Sequence, residues 1–179
     1  DWSSDVSSSD LGSAGAGSHT HLVAELFKYT TGINIVHVPY KGAAPAVIAA
    51  IGGETQLFFG STASAMQPVQ SGRLRALAVT GTQRSSQLPD VPTLAEQGIK
   101  GFETGTWYAL LGPANLPRPV VARIAQEMAR IAAIPDFRQR LASEAVETVL
   151  GNPDDCAEAI RAELAKWTRF VKATGMTIE

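Results

Sequence analysis

The stretch Gly15-Ala16-Gly17-Ser18-His19-Thr20-His21 sets flexible glycines, two hydroxyls and two imidazoles directly before an apolar-periodic segment. Backbone N–H groups in the first turn of a helix lack intrahelical acceptors, and the hydroxyls of Ser18 and Thr20 add donors beside them, so a carboxylate or phosphate fits there. The alternative is a Gly-rich lead into an N-capped helix with no ligand, and His21 then hydrogen-bonds locally. No Gly-Lys-Ser/Thr follows, so this is not a Walker loop, and the third glycine of the dinucleotide fingerprint is missing. Tyr40-Lys41-Gly42 and Gly60-Ser61-Thr62 lie where a strand gives way to a helix, which is where open α/β sheets bind ligands. For Lys41 the alternative is a solvated charge, and for Ser61 and Thr62 an ordinary helix cap. Thr104-Gly105-Thr106-Trp107 offers hydroxyls beside an indole that could equally be core.

Signals for catalysis or metal binding are weak. His19 and His21, two apart on a helix, point to different faces, and His37 sits on a strand without a carboxylate pair, so no metal is expected. The sequence has no Gly-x-Ser-x-Gly and no His-Glu-x-x-His. Its single cysteine, Cys156, falls on the apolar face of a well-signed helix, where a thiol is buried and inert. Asp154 and Asp155 are adjacent helix residues that compensate the dipole rather than a facing carboxylate pair. No catalytic residue and no cofactor are expected.

The elements that must position these residues alternate between short β-branched or aromatic runs and small-residue helices, a βα rhythm with a parallel sheet. A helix capped by Ser18 runs to Gly32 with Leu22, Leu26 and Phe27 on its apolar side. A strand at 33–38, a helix at 43–51 stopped by Gly52-Gly53, a strand at 56–59 and a helix at 61–69 follow. A strand at 73–79 and a small helix at 93–97 complete the first part. Beyond Pro113, a long amphipathic helix carries Val120, Ile124, Met128 and Ile131 on a face that must pack on something. A helix at 135–141 and a strand at 146–150 precede the last helix. That helix is capped by Asn152, begins at Pro153, stops at Gly175 and buries Ile160, Leu164, Trp167 and Val171. Residues 1–11, Ser- and Asp-rich without apolar period, read as a non-native or disordered tail.

With 179 residues, 45% apolar, and 15 basic against 17 acidic residues, the chain makes one domain or two small lobes and can bury a sizeable core. Near-neutral charge and 7% aromatics supply neither a basic stripe nor a stacking platform, so nucleic acid is excluded as a partner. No apolar run approaches the roughly 18 residues of a membrane span. The first ten residues carry no secretory signal, and one cysteine makes no internal disulfide, which leaves the compartment open.

Several co-ordered motifs resemble one family. Gly15 to Leu22 continued by Glu25-Leu26-Phe27, His37-Val38-Pro39-Tyr40-Lys41-Gly42, the run from Gly72 to Thr80, Leu88-Pro89-Asp90-Val91-Pro92-Thr93 and the closing helix with Ala165-Lys166-Trp167 are similar to the substrate-binding proteins of tripartite tricarboxylate transporters, the TctC or Bug receptors. The resemblance implies a periplasmic-binding-protein-like α/β fold with a parallel-rich sheet flanked by helices. It also implies a two-lobed periplasmic receptor that captures a small carboxylate and hands it to membrane subunits without chemistry. On that template residues 12–110 are the middle ligand-binding lobe and 111–179 the segment returning to a first lobe, which lies outside this sequence together with its signal peptide. Carried over by position, the ligand-holding groups are Gly17, Ser18, Thr20, His21, Gly60, Ser61, Thr62, Thr106 and Lys41. Two departures stand out: His19 where the family usually has proline, and Cys156 where it has a bulky aromatic. Two other classes remain open: an α/β enzyme acting on a small anion, which needs a base and nucleophile in contact, and an inert truncated fragment that self-associates as a homo-oligomer through exposed apolar faces.

Overall fold

The computed structural model describes residues 9–143, 146 and 151–177. Two compact units divide at Trp107. In the first, β1 (Asp10–Ser13), α1 (His19–Thr31), β2 (Val36–Pro39), α2 (Ala43–Gly52), β3 (Leu57–Phe58) and α3 (Thr62–Gln70) build a parallel sheet in the order β2-β1-β3. β1 pairs with β2 from Asp10 opposite Val36 to Ser13 opposite Pro39, and with β3 at Leu11 opposite Leu57 and Gly12 opposite Phe58. The chain goes from β1 to one neighbour and then crosses to the other, so the carboxyl end of β1 lies at the point where strand order reverses.

The central strand corrects the expectation of a tail. Asp10 and Leu11 open β1, and Leu11 is completely buried; residues 1–8 lie outside the described residues. This strand carries no alternating signal because it is covered on both faces, and its Gly12 and Ser13 are small for a steric reason. A Cβ on Gly12 would stand 3.2 Å from Thr55 Oγ1 and 3.4 Å from the Tyr40 ring. Asp-Leu-Gly-Ser therefore reads as linker although it is core.

Helix boundaries follow their local chemistry. Ser18 caps α1, accepting from the His21 N–H, and Gly32 ends it in the left-handed conformation. Its buried face is His21, Val23, Ala24 and Phe27, whereas Leu22 and Leu26 are only part-buried. Gly53 closes α2 and Ser61 caps α3. The strand expected at 73–79 is reduced to a single parallel bridge between Val79 and Thr93, since 73–78 meet no strand partner among the described residues. The expected helix at 93–97 is one turn, ended by Gly98 at φ 92°. That turn is held by Arg84, whose Nε lies 3.0 Å from both Glu96 carboxylate oxygens, while Glu96 accepts from the Thr93 N–H.

The second unit contains α4 (Arg118–Ala132), α5 (Pro135–Ser143) and α6 (Pro153–Thr174). A capping box starts α6: Asn152 Oδ1 accepts from the Asp154 and Asp155 N–H groups, and Asp155 accepts from the Asn152 N–H. The apolar rows were expected to be buried and are not. On α4, Val120, Ile124, Met128 and Ile131 are 38 to 46% exposed. On α6, Leu164 is exposed, and Ile160, Trp167, Val171 and Cys156 are only part-buried. Amphipathic spacing shows which side of a helix is apolar, but a covering element has to be supplied by the rest of the fold. The strand expected at 146–150 falls, apart from Val146, outside the described residues.

Candidate functional site

All three strands end at the same edge of the sheet, and each runs into a loop that opens a helix. β1 leads through Ala14–Ser18 into α1, β2 through Tyr40–Gly42 into α2, and β3 through Phe59–Ser61 into α3. The first two loops are stitched together: the Tyr40 N–H donates to Ser13 O and the Gly42 N–H to Ala14 O, each at 3.0 Å. Gly15 has φ 134°, and a Cβ there would meet the Tyr40 carbonyl at 3.0 Å, so only glycine permits this approach.

Within the β1–α1 loop, the hydroxyls expected to meet a ligand are largely committed to the loop itself. Ser18 Oγ donates to Gly15 O at 2.7 Å and accepts from the His21 N–H at 3.2 Å. Thr20 Oγ1 accepts from the Ala14 N–H at 2.9 Å and shares a hydrogen bond with Ser18 Oγ at 3.0 Å. The Gly17 N–H donates to His21 Nδ1 at 3.0 Å. Among the described residues, no protein acceptor meets the backbone N–H of Ala16 or Thr20, and these two are the loop's open donors. Ser18→Ala is expected to cost about 1 kcal/mol, the usual loss of an N-cap, measured by urea unfolding. An unchanged midpoint would show that water replaces the cap at no cost.

Behind the loop lies a pair of imidazoles that periodicity alone did not join. The rings of His21 and His37 stack with centroids 3.9 Å apart and 8° between planes, and His37 Nε2 shares a 2.6 Å hydrogen bond with buried Ser13 Oγ. Burial lowers the pKa of both. His37 is pushed down to about 4, with the adjacent His21 reinforcing burial. Both rings are therefore neutral at pH 7. In a neutral His21 whose Nδ1 accepts from Gly17, the proton resides on Nε2. His21, expected as a ligand group, is 7% exposed and serves as a strut under the loop.

The other expected positions are distributed around the same edge. Ser61 acts as a helix cap, accepting from the Ser64 N–H at 3.2 Å, and Gly60 before it is exposed. The first-turn N–H groups of Thr62 and Ala63 meet no acceptor among the described residues, so α3 presents a second open helix start. Lys41 is exposed on the β2–α2 loop. Thr106 is exposed and lies 3.3 Å from His19 Nδ1, while buried Thr104 lies 3.2 Å from His19 Nε2. In the sequence His19 is weighed as a metal ligand and noted as a departure from the family pattern, and neither reading points to a threonine partner. Its link to Thr104 and Thr106 spans more than 80 residues of chain and leaves no local signal. No cluster of three His, Cys, Asp or Glu side chains suited to a metal forms among the described residues.

Two helix starts and three loops gather at the carboxyl edge of a parallel sheet, an arrangement whose open N–H groups could take an anion, and the fold is that of the periplasmic solute-binding proteins. The chain belongs to the tripartite tricarboxylate transporter family of receptors, TctC, whose family model matches residues 7–176. It is 36% identical over 160 residues to the protein of the tcbD-tcbE intergenic region of Pseudomonas sp. (strain P51), covering 89% of this chain and 48% of that one. Among solved structures it is similar to Rpa4515 of R. palustris with adipate, at a TM-score of 0.86 and 32% identity, covering 93% of this chain and 56% of that one. It is also similar to MatC from Rhodopseudomonas palustris with bound malate, at a TM-score of 0.75 and 26% identity, covering 88% and 55%. The chain thus spans about half the length of these relatives.

Proposed function

We propose that residues 10–106 form the ligand-binding lobe of a periplasmic receptor for a small dicarboxylate, which works with the membrane subunits of a tripartite tricarboxylate-type transporter. The observation that carries this reading is the pair of open helix starts, at Thr20 with Ala16 and at Thr62 with Ala63, on one sheet edge. Neutral N–H donors bind a carboxylate without a full salt bridge, which suits a receptor that releases its cargo. The similarity to structures holding adipate and malate supports the ligand class. On this reading Thr20, Gly60, Ser61, Thr62, Thr106 and Lys41 face the ligand, with the open backbone donors of the loops in direct contact, while Gly17, Ser18 and His21 hold the shape of the loop beneath them. On this reading 111–179 return to a first lobe, and the exposed apolar row of α4 is the surface such a lobe covers.

Thermal unfolding in the presence of malate and adipate tests the reading, in this chain and in a version extended to the length of its relatives. Ligand at a hundred times its dissociation constant adds about 2.7 kcal/mol, a rise of roughly 5 to 10 °C for a protein of this size. A rise in either protein is expected. No rise in the extended protein with any di- or tricarboxylate defeats the receptor reading. The exposed α4 row favours a second reading, self-association of this chain, and a sedimentation mass of one chain at micromolar concentration would exclude it.

A further inference from the structure

His19 occupies the first position of α1, at the mouth of the β1–α1 loop, and reaches two hydroxyls with its two ring nitrogens. Thr104 is 6% exposed, and its own N–H is tied to Thr80 O at 3.1 Å, so its hydroxyl is enclosed. Thr106, two residues on, is exposed. A neutral imidazole has one N–H and one bare nitrogen, so it treats two hydroxyls differently: one must give it a proton and the other must receive one. An enclosed hydroxyl proton needs an acceptor, whereas an exposed hydroxyl can turn its proton toward solvent or ligand.

We infer that His19 is a positioning residue that holds the Nδ1–H tautomer. Thr104 Oγ1–H donates to Nε2, Nδ1–H donates to Thr106 Oγ1, and the Thr106 hydroxyl proton is left available as a donor beside the anion-binding edge. His19 thereby converts two equivalent threonines into an anchor and a ligand donor, and it ties the 104–106 segment to the first turn of α1. The consequence for ligand rests on the receptor reading above. The tautomer and its dependence on Thr104 do not.

Nitrogen-15 NMR of the imidazole rings in the ligand-free chain reads the tautomer directly. The expected spectrum shows His19 with a protonated Nδ1 and a bare, hydrogen-bonded Nε2 at pH 7.5, moving to a mixed tautomer in Thr104→Val while the amide spectrum elsewhere is retained. A dominant Nε2–H form in the wild type, or a Thr104→Val spectrum with His19 unmoved, overturns the inference. The ligand arm is a double-mutant cycle on malate and adipate affinity. His19→Ala and Thr106→Val should each weaken binding about tenfold, the loss of one hydrogen bond to a charged group. The double variant should be no weaker than about tenfold in all, because both changes remove one donor, and His19→Gln should restore part of the loss. Fully multiplied losses would overturn the coupling. Absence of any carboxylate binding by the wild-type protein extended to the length of its relatives would defeat the receptor reading and leave this inference to the tautomer measurement.

Discussion

Phe102→Ala should lower the unfolding free energy of the first unit by about 3 to 5 kcal/mol, the range for truncating an enclosed aromatic ring. Phe102 is 1% exposed and packs edge-on to Phe27 with centroids 6.1 Å apart and stacked near Phe59 at 6.4 Å, while Phe27 and Phe59 meet at 5.6 Å. These rings join three pieces that the site needs. Phe27 belongs to α1, Phe59 precedes Gly60 and Ser61, and Phe102 precedes Thr104. A cavity at Phe102 therefore loosens the carboxyl edge as well as the core. Urea unfolding measures the loss, with Phe102→Leu as a control that retains most of the volume and costs less. A deficit below about 1 kcal/mol for the alanine variant would mean the ring is not enclosed as described.

Acidification should remove about 1 to 2 kcal/mol of stability between pH 6.5 and 4. The sign follows from His37, whose pKa falls from 6.5 to about 4 in the folded state, first through burial and then through His21. Over that window the unfolded chain binds more protons than the folded one, so stability is fully present above pH 6.5 and is lost as pH falls toward 4. The magnitude is set below the full conversion of that depression because the ring is only part-buried and solvent screens it. Glu25 opposes the effect at both rings and Lys28 reinforces it; these two side chains pair with each other at 2.8 Å on α1. Protonating His21 at Nδ1 also ends its acceptance of the Gly17 N–H and so loosens the loop. Urea unfolding at pH 7, 5.5 and 4 should show a shallower acid limb in His37→Phe, which keeps the stack and removes the proton site. Equal limbs in both proteins would clear His37 of responsibility.

Much of the architecture was legible along the chain because its signals are local. Ser18, Ser61 and Asn152 cap α1, α3 and α6 through bonds spanning two or three residues, and Gly32, Gly53 and Gly175 end helices through their own left-handed backbone. The parallel sheet followed from a helix lying between each pair of strands. By contrast, Asp10 and Leu11 of β1 read as the end of a tail, since Asp-Leu-Gly-Ser has no periodicity until Thr55, Tyr40 and His37 are known to crowd it. The 73–79 run has a strand's composition, and composition cannot supply the partner a ladder requires.

By itself the sequence determined the family, the caps and the side of each helix that is apolar. Only the tertiary structure decided which donors stay open. The Ser18 and Thr20 hydroxyls bond each other and the Gly15 and Ala14 backbone, the Gly17 N–H donates to His21, which stacks on His37 beneath the loop, and His19 bridges to Thr104 and Thr106. A hydrogen-bonding group has only a few directions to give, and which neighbour takes them depends on residues that are distant in sequence and adjacent in space.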